Sequence, residues 1–322
     1  MRKRGLQTVT DLARQFEDVV YIGSDVGQGT MDDFREACPD RFFVEGISEQ
    51  YVIGMAAGLA MNGFIPYVNT IATFLTRRCY EQIAVDMCMN NHPVRLYANG
   101  GGTVYAPLGP THMAVDDIAL MRALPNMTVI APCDADEMER AIRASHDWKG
   151  PIYFRVARGG DAIVSKPEHD FAIGRALVFA EPEDLLLITT GVTLQVALGV
   201  AERLADLAIG VGIVHVPTIK PLDRDTLVPR LREARFVMTL EEHSTIGGLG
   251  SAIAALMAAG ERHPRGVLRQ LGIPDTFPDR FGRQENQFEY FGLDLDSVIR
   301  SALGFLKLDV AESVNGSGKK TR

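Results

Sequence analysis

Cysteine is scarce in this sequence. The four that occur, Cys38, Cys79, Cys88 and Cys133, show no C-x-x-C spacing. That excludes the usual zinc and redox motifs and a disulfide framework, and leaves free buried thiols as the expectation. Long apolar runs are missing as well. No window reaches the roughly 18 uncharged residues that span a bilayer. The amino-terminal stretch "MRKRGLQTVTDLARQF" is basic and then amphipathic, without the apolar core of a signal peptide. A cytoplasmic protein with no membrane partner is therefore expected. Basic residues are outnumbered: 33 Lys and Arg face 41 Asp and Glu, for a formal net charge of −8. This balance argues against nucleic acid as a partner. Internal repeats and low-complexity tracts are also missing.

What remains is an ordinary globular composition, 46% hydrophobic and 23% charged over 322 residues, enough for two domains. Short apolar runs alternate with amphipathic stretches. "DVVYIGSDV" (18–26), "RFFVEG" (41–46), "IPYVNTIA" (65–72), "PVRLYANG" (93–100), "MTVIAPC" (127–133) and "PIYFRVA" (151–157) read as buried strands. Helices are expected between them, at 6–17, 31–38, 48–62, 74–90, 116–123 and 134–146. Continuous apolar strands separated by helices indicate mostly parallel sheets covered on both faces. After a polar stretch the alternation restarts, with "DLLLITTG" (184–191), "GVGIVHVP" (210–217) and "FVMTLEEH" (236–243) as strands and helices at 193–207 and 248–259. The expectation is an α/β protein of two doubly wound domains: residues 1–165, a linker at 166–183, a second domain at 184–310, and an unstructured tail at 311–322.

Three features could carry chemistry. Glu49, just after Ser48, begins the 48–62 helix; on local grounds it is either a first-turn acid favoured by the helix dipole or a desolvated functional carboxylate. The glycine- and proline-rich loop "NGGGTVYAPLGPTHMAVDD" (99–117) follows a strand, where open α/β sheets bind ligands. His112 closes it, as a solvated residue or a functional one. Arg158 stands at a strand end, where an arginine can hold an anion or form a surface ion pair. The third feature is "TLEEHSTIGGLGSAI" (239–253); its "GGLG" at 247–250 lacks a Walker lysine and the G-x-G-x-x-G spacing, so it reads as a tight turn into a helix with no ligand assigned.

Several segments together resemble the carboxy-terminal half of transketolase: "GISEQ", "TFLTRRCYEQIAVD", "GPTHMAVDDIALMRALPNMTVIAPCDADE" and "YIGSDVGQGTMDDFREACPDRFF". The resemblance runs over roughly residues 6–300 and implies thiamine diphosphate as cofactor. On it, Glu49 corresponds to the glutamate that hydrogen-bonds the aminopyrimidine nitrogen N1′ and controls its tautomer, while the cofactor supplies the electron sink. Phe74 corresponds to the aromatic residue stacked on the pyrimidine; Arg77 and Tyr80 fall along the same wall, and Asp25 lies in the matching cofactor-binding segment. His112 corresponds to a histidine that contacts the substrate and takes part in proton transfer. Arg158 corresponds to an arginine that holds a substrate phosphate, and Arg2 to a second.

The chain also departs from that pattern. Sugar-reading residues expected before "GPTH" are replaced by glycine near Gly100 and by Leu108, and a phosphate-binding serine expected near Gly29 is missing, with Thr30 beside it. No Gly-Asp-Gly metal motif occurs; "GGD" at 159–161 has another order. The resemblance therefore implies one subunit of a split enzyme, needing a companion with the diphosphate-binding domain that holds Mg2+, most simply as α2β2. The implied reaction moves a two-carbon ketol unit from a sugar or sugar phosphate to an aldehyde. The alternatives are a 2-oxoacid dehydrogenase E1-like β subunit serving a lipoyl or carrier protein, a deoxyxylulose-phosphate-synthase-like half, and a scaffold without turnover.

Overall fold

The computed structural model describes residues 1–24, 29–259 and 266–316, with side chains described as far as 307. Among the described residues twelve strands follow one another: β1 (Val19–Gly23), β2 (Phe42–Val44), β3 (Ile65–Ile71), β4 (Arg95–Asn99), β5 (Thr128–Ile130), β6 (Ile152–Val156), β7 (Leu177–Ala180), β8 (Leu185–Thr189), β9 (Val211–His215), β10 (Thr218–Lys220), β11 (Phe236–Ser244) and β12 (Val267–Ile273). They form a seven-stranded sheet, β10-β5-β6-β4-β3-β1-β2, and a five-stranded sheet, β12-β11-β8-β9-β7. Every pairing is parallel except β10 with β5 and β7 with β9.

Alternate residues of each strand enter opposite layers, as a pleated strand requires. In the first sheet Val20, Ile22, Val68, Leu96 and Tyr153 face the helix Glu49–Met61 and the segment after it. Val19, Tyr21, Tyr67, Tyr97 and Phe154 face the helices Arg2–Gln15 and Ala135–Ser145. The second sheet is covered likewise, with Leu185, Leu187 and Met238 under one helical layer and Leu186, Ile188 and Val237 under the other. Two doubly wound α/β domains with mostly parallel sheets are thus present.

The expected linker is not free of structure. Leu177–Ala180 is an edge strand of the second sheet, paired antiparallel with β9. β10 follows β9 in the chain but pairs with β5, so a strand from the second domain's sequence completes the first sheet. The single helix expected at 74–90 is three pieces, Ala72–Arg78, Tyr80–Gln82 and a π-helical turn Ile83–Cys88. At the carboxyl end the last helix spans Leu295–Gly316, overlapping the start of the stretch expected to be unstructured; residues 317–322 lie outside those described.

Candidate active site

The carboxyl ends of the parallel strands in the first sheet converge on one region, the place where such sheets bind ligands. β2 leads into Glu49, β3 into the helix Ala72–Arg78, β4 into the loop that carries His112, and β6 into Arg158. Glycine makes the β4 loop possible. Gly100 has φ +79°, and the ring of Tyr105 lies where its Cβ would be. Gly100 and Gly101 donate to the Val156 carbonyl, Gly102 donates to Ala114, and Thr103 N and Oγ1 donate to Glu242 Oε1 at 2.8 and 2.6 Å. The loop is therefore fixed at several points, which holds His112 in place.

Glu49 is the first residue of the helix Glu49–Met61 and is 2% exposed. Ser48 does not cap that helix through its side chain; its hydroxyl donates to the Glu45 carbonyl. The partner of Glu49 is Arg78, whose Nη1 donates to Oε2 at 2.5 Å. Arg78 also lies over the ring of Phe74, 4.6 Å from its centroid. Phe74 in turn meets the His112 ring edge-on, with centroids 5.1 Å apart. A continuous series of contacts, Glu49–Arg78–Phe74–His112, thus connects three of the residues singled out from the sequence. Arg78 was not among them. The signal was there, because Phe74 and Arg78 stand four apart on one helix and share a face.

The other expected residues are placed differently. Arg77 makes a bidentate ion pair with Asp116, Nε to Oδ2 at 2.9 Å and Nη2 to Oδ1 at 2.8 Å, and also donates to the Met113 carbonyl. It anchors the segment after His112 and does not stack on Phe74. Tyr80 packs against the hydrophobic layer under the helix Glu49–Met61. Arg158 is exposed at the end of β6. The amino terminus lies beside it: Ala157 N–H donates to Met1 Sδ, and the Met1 nitrogen packs on Gly159. That brings Arg2 to the same end of the sheet, half-buried and with its Nε lacking a hydrogen-bond partner. Asp25 lies outside the described residues. Burial, and then the Glu49 carboxylate, push the Cys79 thiol up to about 12, so it is no nucleophile at neutral pH.

A second polar cluster lies between the domains and escaped the sequence reading. Asp117 accepts from Arg155 Nε at 2.8 Å and from Tyr153 OH at 2.7 Å, all three side chains being buried. Burial pushes Asp117 up, but Arg155, then His243 and the hydrogen bonds from Arg155 and Tyr153, outweigh it and hold the carboxyl below its usual range. Glu241, Glu242 and His243 face this cluster from β11. Burial raises both glutamates, Glu241 to about 7, and lowers His243. His243 is accordingly neutral: Nδ1–H donates to the Ser244 carbonyl and Nε2 accepts from Ala119 N–H. Beside it opens a cavity of about 500 Å³, lined by Arg77, Asp116, Ser244, Ile246 and Phe277 among others.

Among the described residues Cys133, Glu137 and His215 have donor atoms close enough to share an ion. His215 Nε2 is 3.0 Å from Glu137 Oε2, which also accepts from Cys133 N–H at 2.6 Å. The Cys133 bond comes from its backbone, and Glu137 Oε1 is buried without a hydrogen-bond partner.

The family follows from comparison. Residues 1–160 match "Transketolase, pyrimidine binding domain" and residues 174–298 match "Transketolase, C-terminal domain". The chain belongs to the transketolase family. It is 35% identical over 310 residues to a "Putative transketolase C-terminal section" of Methanocaldococcus jannaschii, covering 95% of this chain and 96% of the relative. It is 32% identical over 308 residues to one subunit of an apulose-4-phosphate transketolase from Phocaeicola vulgatus, covering 95% and 97%. Among solved structures it is similar to a "Split gene transketolase, inactive beta4 tetramer", with a TM-score of 0.86, 33% identity and coverage of 95% and 98%. Membership implies thiamine diphosphate. The residues fit its aminopyrimidine ring: Glu49 offers a buried carboxylate, and one planar nitrogen-bearing group, the Arg78 guanidinium, already touches both that carboxylate and the face of Phe74. Among the described residues no helix is long and apolar enough to cross a membrane.

Proposed function

We propose that this chain is the pyrimidine-binding, carboxy-terminal subunit of a two-chain transketolase, moving a two-carbon ketol unit from a ketose donor to an aldehyde acceptor. The observation that carries the reading is the contact series from Glu49 through Phe74 to His112, set at the carboxyl ends of β2, β3 and β4. When bound, thiamine diphosphate supplies the nucleophilic carbon and the electron sink. Glu49 holds a proton at the pyrimidine nitrogen, and its burial keeps water from competing for that hydrogen bond. Phe74 orients the ring by stacking. His112 has Nδ1 2.9 Å from Thr111 Oγ1, leaving Nε2 to bind and protonate substrate oxygens. Arg2 and Arg158 meet a phosphate on the donor.

A companion subunit holds the diphosphate and Mg2+ in an α2β2 assembly. Support comes from relatives of nearly the same length described as a section and as a subunit, and from a similar chain described as inactive when tetrameric by itself. The test is to mix the chain with a companion carrying the Gly-Asp-Gly domain, add thiamine diphosphate and Mg2+, and assay ketol transfer. Turnover only in the mixture, lost in Glu49→Gln, is the expected result. Cofactor binding without transfer for any ketose donor would sink the transketolase reading, and absence of binding would make the chain a scaffold.

A further inference from the structure

The two contacts made by Arg78 are the two that a bound aminopyrimidine ring needs. Its guanidinium is planar, carries N–H donors, lies 4.6 Å from the Phe74 centroid and donates to Glu49 Oε2 at 2.5 Å. We propose that Arg78 is a placeholder in the pyrimidine seat, occupying the place between Glu49 and Phe74 until the cofactor ring displaces it; this rests on the transketolase reading above.

The two partners differ in how easily they move. Glu49 is fixed by burial at the start of a packed helix, and a carboxyl group buried there requires a hydrogen-bond partner. Arg78 is the last residue of its helix, its side chain is 42% exposed, and a guanidinium on a flexible stem can turn into water at small cost. Its backbone is held meanwhile, since Gln50 Nε2 donates to the Arg78 carbonyl at 3.1 Å. The side chain can therefore leave without dragging the helix. The neighbouring Arg77 cannot substitute, because Asp116 and the Met113 carbonyl take its donors.

While Arg78 is seated, Glu49 is satisfied and Phe74 is covered, so the chain is stable before cofactor or companion arrives. Affinity for the ring is then reduced by the fraction of molecules in which the seat is open. A half-exposed ion pair plus one cation–π contact makes that factor about tenfold.

The experiment uses thiamine, which has the ring but needs neither companion nor Mg2+, titrated by calorimetry or ligand-detected NMR onto the full chain. Wild type, Arg78→Met, Arg78→Lys and Arg78→Met/Glu49→Gln are compared, each first shown by circular dichroism to be folded at the temperature of the titration. Arg78→Met should bind thiamine about tenfold tighter than wild type, and Arg78→Lys, which keeps the charge but not the plane, should fall between them. Glu49→Gln should remove the gain. Equal or weaker binding by Arg78→Met, a gain that survives Glu49→Gln, or no binding to any variant would overturn the proposal. The same variants in the two-chain mixture should show the same ratio for thiamine diphosphate. Tight binding there without ketol transfer would count against the transketolase reading and leave the displacement measured.

Discussion

Arg155 and Asp117 form an ion pair at 2.8 Å in which the side chains are 6% and 0% exposed, and Arg155 Nη2 reaches on to the Glu242 carbonyl at 2.8 Å. A residue of the first sheet thereby ties down the longest strand of the second. The Gly101 backbone packs on the same arginine, so the loop that carries His112 rests on this pair.

Replacing Arg155 by Met would leave Asp117 buried with Tyr153 as its remaining donor. The expected loss is about 3–5 kcal/mol in urea unfolding, and Arg155→Met/Asp117→Asn should recover part of it. A loss below about 1 kcal/mol would mean that the pair is replaceable by packing alone.

Glu241 gives a pH signature. Burial raises its carboxyl from 4.5 to about 7, with the N–H groups of Gly250 and Leu249 offsetting part of the shift. Between those values the folded chain holds a proton that the unfolded chain has lost, so this group makes stability fall as pH rises from about 4.5 to 7 and adds no further slope above. Buried neutral His243 acts with the opposite sign nearby, so the measurement is a difference: unfolding free energy of wild type minus Glu241→Gln, at a series of pH values. The difference should decline through that window and level off; a flat difference would contradict the shift.

Gly102 has φ +72°, and a Cβ there would lie 2.3 Å from the Glu242 carboxyl carbon. Gly102→Ala should cost about 1–3 kcal/mol through backbone strain and displacement of Glu242. Thermal melting would register it, and an unchanged melting temperature would show that the loop can shift freely.

His112→Asn in the two-chain enzyme should lower kcat/KM for the ketose donor by about 10²-fold or more, as loss of a positioned acid–base group does. Thiamine diphosphate affinity should stay within about twofold, because His112 meets the edge of Phe74 and not the seat at Glu49. Steady-state rates and cofactor titration on the same preparation separate the two. A parallel loss of cofactor binding would assign His112 to the seat itself.

By itself the sequence determined the two-domain α/β plan, because strands buried on both faces must be apolar throughout and helices over them must alternate. The runs at 18–26, 65–72 and 184–191 therefore match β1, β3 and β8. It also put Glu49, Phe74 and His112 near strand ends, which chain order alone decides in a parallel sheet. Tertiary structure decided the rest. β12 escaped notice because "VLRQLGI" mixes polar with apolar residues on a half-exposed edge. β10 is three residues long, and its pairing with β5 exists only once the domains dock. Adjacent Arg77 and Arg78 look alike in the chain. About 100° of rotation between neighbours on a helix sends one to Asp116 and the other to Glu49. Periodicity is local and can be read from a list of residues. The partner of a guanidinium depends on which distant carboxylate folding brings to its side of the helix.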